Sequence, residues 1–286
     1  MSASFILIAD DFAMTRGISE GILALAAAGR LSGAGAMVNM PHWPEQAAAA
    51  LKFRDRLALG LHLNLTFGRP LGPMPKLAPD GEFPTRERVV GRAASRQIDR
   101  SEIGAEIERQ LDRFQAVAGV PPDFVDGHHH VHGLPGIRDE LVAALKRRFP
   151  AGGPLIRDPA DRPLAILRRR VAATKAATAA TLVAGFGKLA RGAGFATNEG
   201  FSGYSTFGSI PYADEFPAFL IDPGPRPMIM CHPGLPDDEL GDRDAISGRR
   251  PEEHRYLAGR PGLPDLIWHP EGRDAAGFPW EVTAHG

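Results

Sequence analysis

Short apolar segments alternate along this chain with longer segments of helical period. The apolar segments predict strands at Ser4–Ala9, Ala34–Asn39, Leu57–Leu65, Asp123–Asp126, Leu155–Arg157 and Met228–Cys231, with a weaker one at Phe195–Glu199. The helical pattern covers Ile18–Ala28, Glu45–Lys52, Glu102–Val117, Ile137–Arg148 and about Ala165–Leu189. Strands and helices in alternation are typical of βα units around a parallel sheet, so the sequence predicts an α/β fold.

One predicted strand carries polar residues where a buried strand should be apolar. In GLHLNLT, residues 60–66, alternation places three leucines on one face and His62, Asn64 and Thr66 on the other. Buried polar groups are costly without partners. Water, a metal ion or a substrate must therefore satisfy this second face.

Acids and imidazoles follow the apolar part of four predicted strands. They are Asp10 and Asp11, His62, the cluster HHHVH at 128–132, and His232. In a parallel α/β fold the carboxyl ends of the strands meet at one mouth, where such enzymes place their chemistry. A carboxylate and two imidazoles from different strands leave coordination positions open, so the pattern indicates a catalytic metal site.

Each of these segments also has an interpretation without chemistry. Asp10 and Asp11 are suited to capping the next helix. His62 could be a core histidine bonded to a backbone carbonyl. The histidine cluster could be a solvated turn, and His232 a turn residue. All four interpretations would have to hold together, each at a strand end, to remove the site.

Composition limits the remaining choices. The chain has 286 residues, 43% of them hydrophobic, a formal net charge of −1 and a single cysteine, Cys231. With a net charge near zero, the protein has no overall electrostatic field that would favour binding to nucleic acid or to an anionic membrane. With one cysteine, no intrachain disulfide can form. The absence of a basic leader and of an apolar span of about 20 residues predicts a cytoplasmic protein without a transmembrane segment. We expect one domain over residues 1–286, with a long loop at Gly68–Pro84 and a loop-rich portion from about Leu235.

These motifs together resemble the YdjC-like carbohydrate deacetylase family, also called the ChbG/HpnK family. The resemblance lies in IADDF (Ile8–Phe12), GLHLNLT (Gly60–Thr66), DGHHHVH (Asp126–His132), GFSGYS (Gly200–Ser205) and MCHPG (Met230–Gly234). It implies a distorted (β/α) barrel, a TIM-barrel-like architecture of the polysaccharide deacetylase type. It also implies a hydrolase that removes acetyl groups from N-acetylated sugars with one divalent metal ion.

The resemblance assigns roles to five residues. Asp11, His62 and His128 would hold the metal, Asp10 would be the general base and His232 the general acid. This division suits amide hydrolysis, which needs an activated water, a stabilised oxyanion and a proton for the departing amine. Two imidazoles and a carboxylate suit zinc, nickel, cobalt or manganese, and the resemblance adds magnesium.

Further residues are candidates for contacts with substrate or with the ligands. Asp126 is a candidate partner of a ligand imidazole, Asn64 could orient His62, and Arg157 could orient Asp10 or hold substrate. Phe201 and Tyr204 could stack on a sugar or pack in the core. The full set is Asn64, Asp126, His132, Arg157, Phe201 and Tyr204.

Two features depart from the resemblance or leave substrate open. Ala13 stands where the family usually has glycine, and the Ala- and Arg-rich region Leu164–Gly194 could contact a second copy of the chain, so a homodimer is one expectation.

A metal phosphoesterase and a sugar-binding protein without catalysis are the competing functions. The first would favour two metals and a more basic mouth, and the second would need neither Asp10 nor His232.

Overall fold

The structure, a computed structural model, describes residues 5–239, 244 and 246–270. Its strands are β1 (Ile6–Phe12), β2 (Gly33–Ala36), β3 (Ala58–Leu63), β4 (Phe124–Gly127), β5 (Leu155–Ile156), β6 (Phe201–Ser202) and β7 (Met228–Cys231). Its α-helices are α1 (Arg16–Ala27), α2 (Trp43–Ala50), α3 (Arg86–Ala94), α4 (Arg100–Ala118), α5 (Ile137–Arg148), α6 (Pro163–Arg169), α7 (Ala173–Leu182), α8 (Phe186–Gly192), α9 (Tyr212–Phe219), α10 (Arg250–Gly259) and α11 (Leu263–Leu266). Two 3-10 helices lie at Leu51–Phe53 and His128–Gly133.

The strands form one parallel sheet in the order β5-β4-β3-β2-β1-β7-β6. Its two edges approach each other through the segment before β6. Thr197 makes an isolated parallel bridge with Ile156 of β5, and Phe201 then pairs with Met228 of β7. The sheet therefore curls into a distorted (β/α) barrel, as the sequence predicts.

Two apolar clusters divide the core between the outside and the inside of the barrel. The large cluster joins the outward faces of the strands to the helices and includes Leu7, Ala9 and Leu61. The small cluster fills the interior and consists of Ile6, Ile8, Ala58, Phe124, Leu155, Phe201, Met228 and Met230. Apolar side chains thus fill the barrel at the amino ends of its strands, so the barrel is not an open channel.

The helix predicted over about Ala165–Leu189 is wrong, because the region forms three helices, α6, α7 and α8. Arg170 (φ +61°) and Ala172 (φ +43°) separate the first two, and Gly185 (φ +82°) precedes the third. The tertiary cause lies at Arg169, whose guanidinium donates to the carbonyls of Ile221 and Phe201 at 2.9 and 3.0 Å. These bonds fasten the end of α6 to the barrel.

Other boundaries differ from the sequence pattern. The weak strand at Phe195–Glu199 is wrong, because only isolated bridges form there and the strand β6 follows at Phe201–Ser202. Helices α3 and α9 lie outside the predicted elements, and α10 and α11 fall in the portion from about Leu235 for which the sequence predicts mainly loops. The end of that portion, residues 271–286, lies outside the described residues. No helix within the described ranges has the length and apolar character to cross a membrane.

Candidate active site

The interior face of the barrel changes from apolar to polar toward the carboxyl ends of the strands. On β1, Ile6 and Ile8 belong to the interior cluster, so alternation places Asp10 next on the same face. The same step of two leads from Ala58 through Gly60 to His62, from Phe124 to Asp126, from Leu155 to Arg157 and from Met230 to His232. Alternation along the strands thus places five polar side chains inside the barrel, next to the interior apolar cluster on the side of the carboxyl ends of the strands.

Asp11 breaks this alternation and still reaches the site. Its φ of +68° is a left-handed conformation, and the register between β1 and β2 shifts between Ala9 and Phe12. A regular strand would turn Asp11 toward the helices. The irregular backbone turns it inward beside Asp10, which explains how two consecutive aspartates serve one site.

Three ligand atoms converge at this end of the barrel. Asp11 Oδ1 lies 2.8 Å from His128 Nδ1 and 3.4 Å from His62 Nε2, and all three side chains are buried. Their ligand atoms lie within 4.8 Å of one another, close enough to bind one ion. The residues that the resemblance assigns to the metal are therefore together.

A chain of buried charges supports these ligands. His62 Nδ1 lies 2.7 Å from Asp126 Oδ1, which leaves the lone pair of Nε2 for an ion. Asp126 Oδ2 pairs with Arg157 at 2.6 Å, and the same guanidinium donates to both oxygens of Asp10 at 2.7 Å. The expectation that Arg157 orients Asp10 agrees with this contact.

The charges favour an additional cation. Three buried carboxylates, Asp10, Asp11 and Asp126, face the guanidinium groups of Arg157 and Arg250. Burial disfavours a charged imidazole, but Asp126 and Asp10 outweigh it and raise the pKa of His62 to about 10. The donor set and its surplus negative charge therefore both fit a divalent ion.

Asp10 is held ionised beside the ligands. Burial would raise the pKa of Asp10, but the Arg157 charge and hydrogen bonds, together with His62, lower it to about 2. His232 lies across from it, with Nε2 at 4.0 Å from Asp10 Oδ2. Burial lowers the pKa of His232, which makes its protonated form a stronger acid. An ionised carboxylate and an imidazole thus lie next to the three groups that could hold an ion.

Arg250 is a site residue that the sequence analysis missed. Its Nη2 donates to Asp11 Oδ2 at 2.7 Å, and its Nε donates to Asp244 at 2.6 Å. Burial would raise the pKa of Asp11, but His128 and Arg250 hold it well below its usual value. Arg250 begins α10 in a polar segment without a strand end, so no pattern along the chain indicated it.

Another contact from α10 holds the backbone next to the predicted acid. The carboxylate of Glu253 accepts the backbone N–H of His232 at 2.6 Å. Burial raises the pKa of Glu253 to about 7. Helix α10 therefore supports both Asp11 and His232, although it lies far from them in sequence.

The histidine cluster forms a strained turn. Over His128–Gly133 the chain makes a 3-10 helix in which His129 and His130 have φ of +55° and +60°. The His129 ring lies on His128 with centroids 3.9 Å apart, and its Nδ1 lies 2.9 Å from Thr66 Oγ1. Non-glycine residues in this conformation are uncommon and concentrate at functional sites.

The hydrogen bonds of the Asn64 side chain go to Asn39, Thr66 and Phe67 rather than to His62. Because β3 ends at Leu63, the alternation of the strand no longer applies beyond it. The Asn64 amide instead accepts the N–H groups of Thr66 and Phe67, both at 3.0 Å, and donates to Asn39. Asn64 therefore shapes the turn that carries Thr66 to the histidine cluster.

The other three candidates lie around the site without reaching the ligands. His132 Nε2 bonds the Arg157 carbonyl at 2.9 Å. Phe201 is buried in the interior cluster, and the Tyr204 hydroxyl donates to the Pro159 carbonyl at 2.9 Å. His130 packs edge-on against both of these aromatic rings. Phe201 and Tyr204 thus pack chiefly as structural aromatics.

Fold and site together define a parallel α/β barrel with a group of side chains that could hold a metal ion at the carboxyl ends of its strands. The sequence profile of the YdjC-like protein family matches residues 4–261. The chain therefore belongs to the YdjC-like protein family, as its motifs predict.

Known proteins resemble this chain in sequence and in structure. Chitooligosaccharide deacetylases of Yersinia pestis (strain Pestoides F) and Yersinia pseudotuberculosis (strain YPIII) are each 40% identical over 147 residues, 51% of this chain and 57% of the relative. The alignment thus spans less than two thirds of these relatives. A putative cellobiose-phosphate cleavage protein of Enterococcus faecalis superposes with a TM-score of 0.70 at 20% identity, covering 93% of this chain and 94% of that one. This last likeness supports the fold.

Proposed function

We propose that this protein is a metal-dependent hydrolase that removes the N-acetyl group from an acetylated amino sugar, oligosaccharide or glycoconjugate. The observation that carries the proposal is the convergence of Asp11, His62 and His128, with Asp10 and His232 beside them. The aligned relatives named chitooligosaccharide deacetylase support the same substrate class.

Each polar residue has a task in amide hydrolysis. Asp11, His62 and His128 would hold one divalent ion, which when bound supplies Lewis acidity that acidifies an attacking water and polarises the amide carbonyl. Asp10, kept ionised by Arg157, takes the proton of that water. His232 gives a proton to the departing nitrogen. Zinc or magnesium is our first choice of ion, and manganese, cobalt and nickel also suit the donors.

Arg157 affects Asp10 in two opposite ways. It keeps the carboxylate charged and aimed, and it also makes Asp10 a weak base because the pKa falls to about 2. Proton transfer to Asp10 is therefore efficient only from an acidified water. This interdependence predicts that loss of the ion and loss of Asp10 each remove most of the activity.

An acetate-release assay tests the proposal. N-acetylglucosamine, diacetylchitobiose and acetylated aminosugar lipids are offered with each divalent metal in turn. Asp10→Asn should keep its metal and lose about 10²–10⁴-fold in rate, whereas His62→Ala should lose metal and activity together. Asp123→Asn is the matched control, since Asp123 forms a similar but only partly buried pair with Arg54 before β4, at the opposite end of the barrel. Metal-independent release, or full activity of Asp10→Asn, would refute the mechanism.

The competing functions give different results in the same screen. A phosphoesterase would favour a second ion, and Asp10, His62 and Asp126 form a second candidate group. Arg157 bonds both carboxylates of that group, which supports a single ion. Turnover of phosphate esters with no amide cleaved would favour the phosphoesterase. Sugar binding with no turnover of either substrate would favour a binding protein.

A further inference from the structure

Phe207 lies at the mouth of the site, beside the proposed acid. Its ring centroid is 5.9 Å from that of His232, with the two planes at 82°. Phe207 is half-buried, and the next three residues, Gly208 to Ile210, are exposed. Part of the ring is therefore accessible next to the imidazole.

The backbone at Phe207 is strained. Its φ is +56°, a left-handed conformation that is an outlier for a bulky residue. Such strain persists only where the surroundings impose it, and it concentrates at binding and catalytic sites.

A buried network imposes this conformation on the loop. Glu215 of α9 accepts the Ser205 hydroxyl at 2.6 Å and the Thr206 N–H at 2.8 Å. Arg249, itself buried, pairs with Glu215 and donates to the Ser205 hydroxyl at 3.0 Å. The Phe207 N–H then donates to the same hydroxyl at 3.0 Å. The loop is thus fixed with its aromatic ring toward His232.

Helix α7 supplies a cation to the same ring. Lys175 Nζ lies 4.2 Å from the centroid of Phe207 and donates to the Ser205 carbonyl at 3.0 Å. Lys175 comes from the Ala- and Arg-rich region whose role the sequence left open. This region therefore contributes one wall of the mouth.

The proposed reaction determines what occupies this wall. The nitrogen that receives the proton from His232 is bonded directly to the sugar ring, so that ring must lie beyond His232 from the metal ligands. We propose that Phe207 and Lys175 form a pyranose subsite for the amino sugar that carries the acetyl group. The apolar C–H face of the sugar packs on the face of Phe207 that Lys175 leaves open, and the Lys175 ammonium holds the ring from its other face. The subsite rests on the proposed function, because that reaction places the sugar beside His232.

The test combines kinetics with direct binding of diacetylchitobiose. Phe207→Ala should raise KM for acetate release about tenfold with kcat nearly unchanged, and Phe207→Tyr, which keeps the ring, should restore KM. Calorimetry in the metal-loaded Asp10→Asn background should show about tenfold weaker binding with Phe207→Ala. Lys175→Met should weaken binding in the same direction.

Phe53→Ala is the matched control. Phe53 is also half-buried, but it lies in the 3-10 helix that leads into β3, at the opposite end of the barrel. It should leave KM and binding as in the wild type. Wild-type KM for Phe207→Ala, or an equal loss for Phe53→Ala, would overturn the subsite while acetate release leaves the proposed function intact. Binding that depends on Phe207 without any acetate release would support the subsite and refute the deacetylase. A wild type that does not bind the disaccharide would overturn the subsite.

Discussion

Asp126 joins His62, the proposed metal ligand, to the charge pair that holds Asp10, so its replacement tests the central geometry of the site. Its two oxygens contact His62 Nδ1 at 2.7 Å and Arg157 Nη2 at 2.6 Å, and the side chain is fully buried. Asp126→Asn keeps the volume and one acceptor oxygen but removes the charge. Asp126→Ala removes the contacts as well.

The structure sets the magnitude of both effects. Loss of a carboxylate that supports a ligand histidine typically weakens metal binding 10–100-fold, or about 1.4–2.8 kcal/mol. We expect Asp126→Asn near the lower end and Asp126→Ala near the upper end. Arg157 retains Asp10 as a partner in both variants. Each substitution should therefore lower the free energy of unfolding by less than about 3–5 kcal/mol, the loss expected when a buried charge has no partner left.

Zinc affinity measured by competition with a chromophoric chelator checks the prediction, and urea unfolding checks the stability. Asp123→Asn, on the same segment of chain and paired with Arg54, should lose stability without a change in zinc affinity. Wild-type affinity for both Asp126 variants would refute the role of the carboxylate. An equal loss for Asp123→Asn would show that general destabilisation causes it.

Three further predictions concern stability. Ala13 has φ +70°, so Ala13→Gly should raise the free energy of unfolding by about 0.5–1 kcal/mol, measured in urea. Arg250→Met removes the guanidinium partner of the buried Asp11, which keeps its contacts to His128 and His62. It should lower that free energy by about 1.5–3 kcal/mol without metal, and excess zinc should restore part of the loss. Burial raises the pKa of Glu253 from 4.5 to about 7, so the folded state favours the protonated side chain. The contribution of Glu253 to the free energy of unfolding is therefore complete below pH 4.5 and is lost as the pH rises to about 7. Glutamine does not titrate, so between pH 4.5 and 7 the free energy of unfolding should fall in the wild type by up to about 3 kcal/mol more than in Glu253→Gln.

Each of these predictions has a result that contradicts it. A lower urea midpoint for Ala13→Gly would mean that the left-handed turn does not limit stability. Wild-type stability for Arg250→Met without metal would mean that Asp11 has sufficient other partners. Parallel stability curves of the wild type and Glu253→Gln between pH 4.5 and 7 would show that Glu253 does not titrate there.

The sequence predicted the elements whose period is regular. Six of the seven strands that lie in the described part of the chain were expected, and five polar positions of the site follow from a step of two along strands with an apolar interior face. The motifs also indicated the α/β barrel and the family, which the profile match over residues 4–261 confirms. Asp11 needed more than the pattern, because its left-handed backbone reverses the side that alternation predicts.

Contacts between distant segments decided the rest. The single helix expected over about Ala165–Leu189 breaks where Arg169 bonds the carbonyls of Ile221 and Phe201, which are far from it in sequence. Arg250 and Phe207 reach the site from a polar segment and a strained loop, neither of which has a period to read. Periodicity reports which face of an element is buried, and the sequence alone therefore determined the barrel and most of its polar mouth. Which loop or helix covers that mouth depends on hydrogen bonds and charge pairs between residues far apart in sequence, and only the tertiary structure decided it.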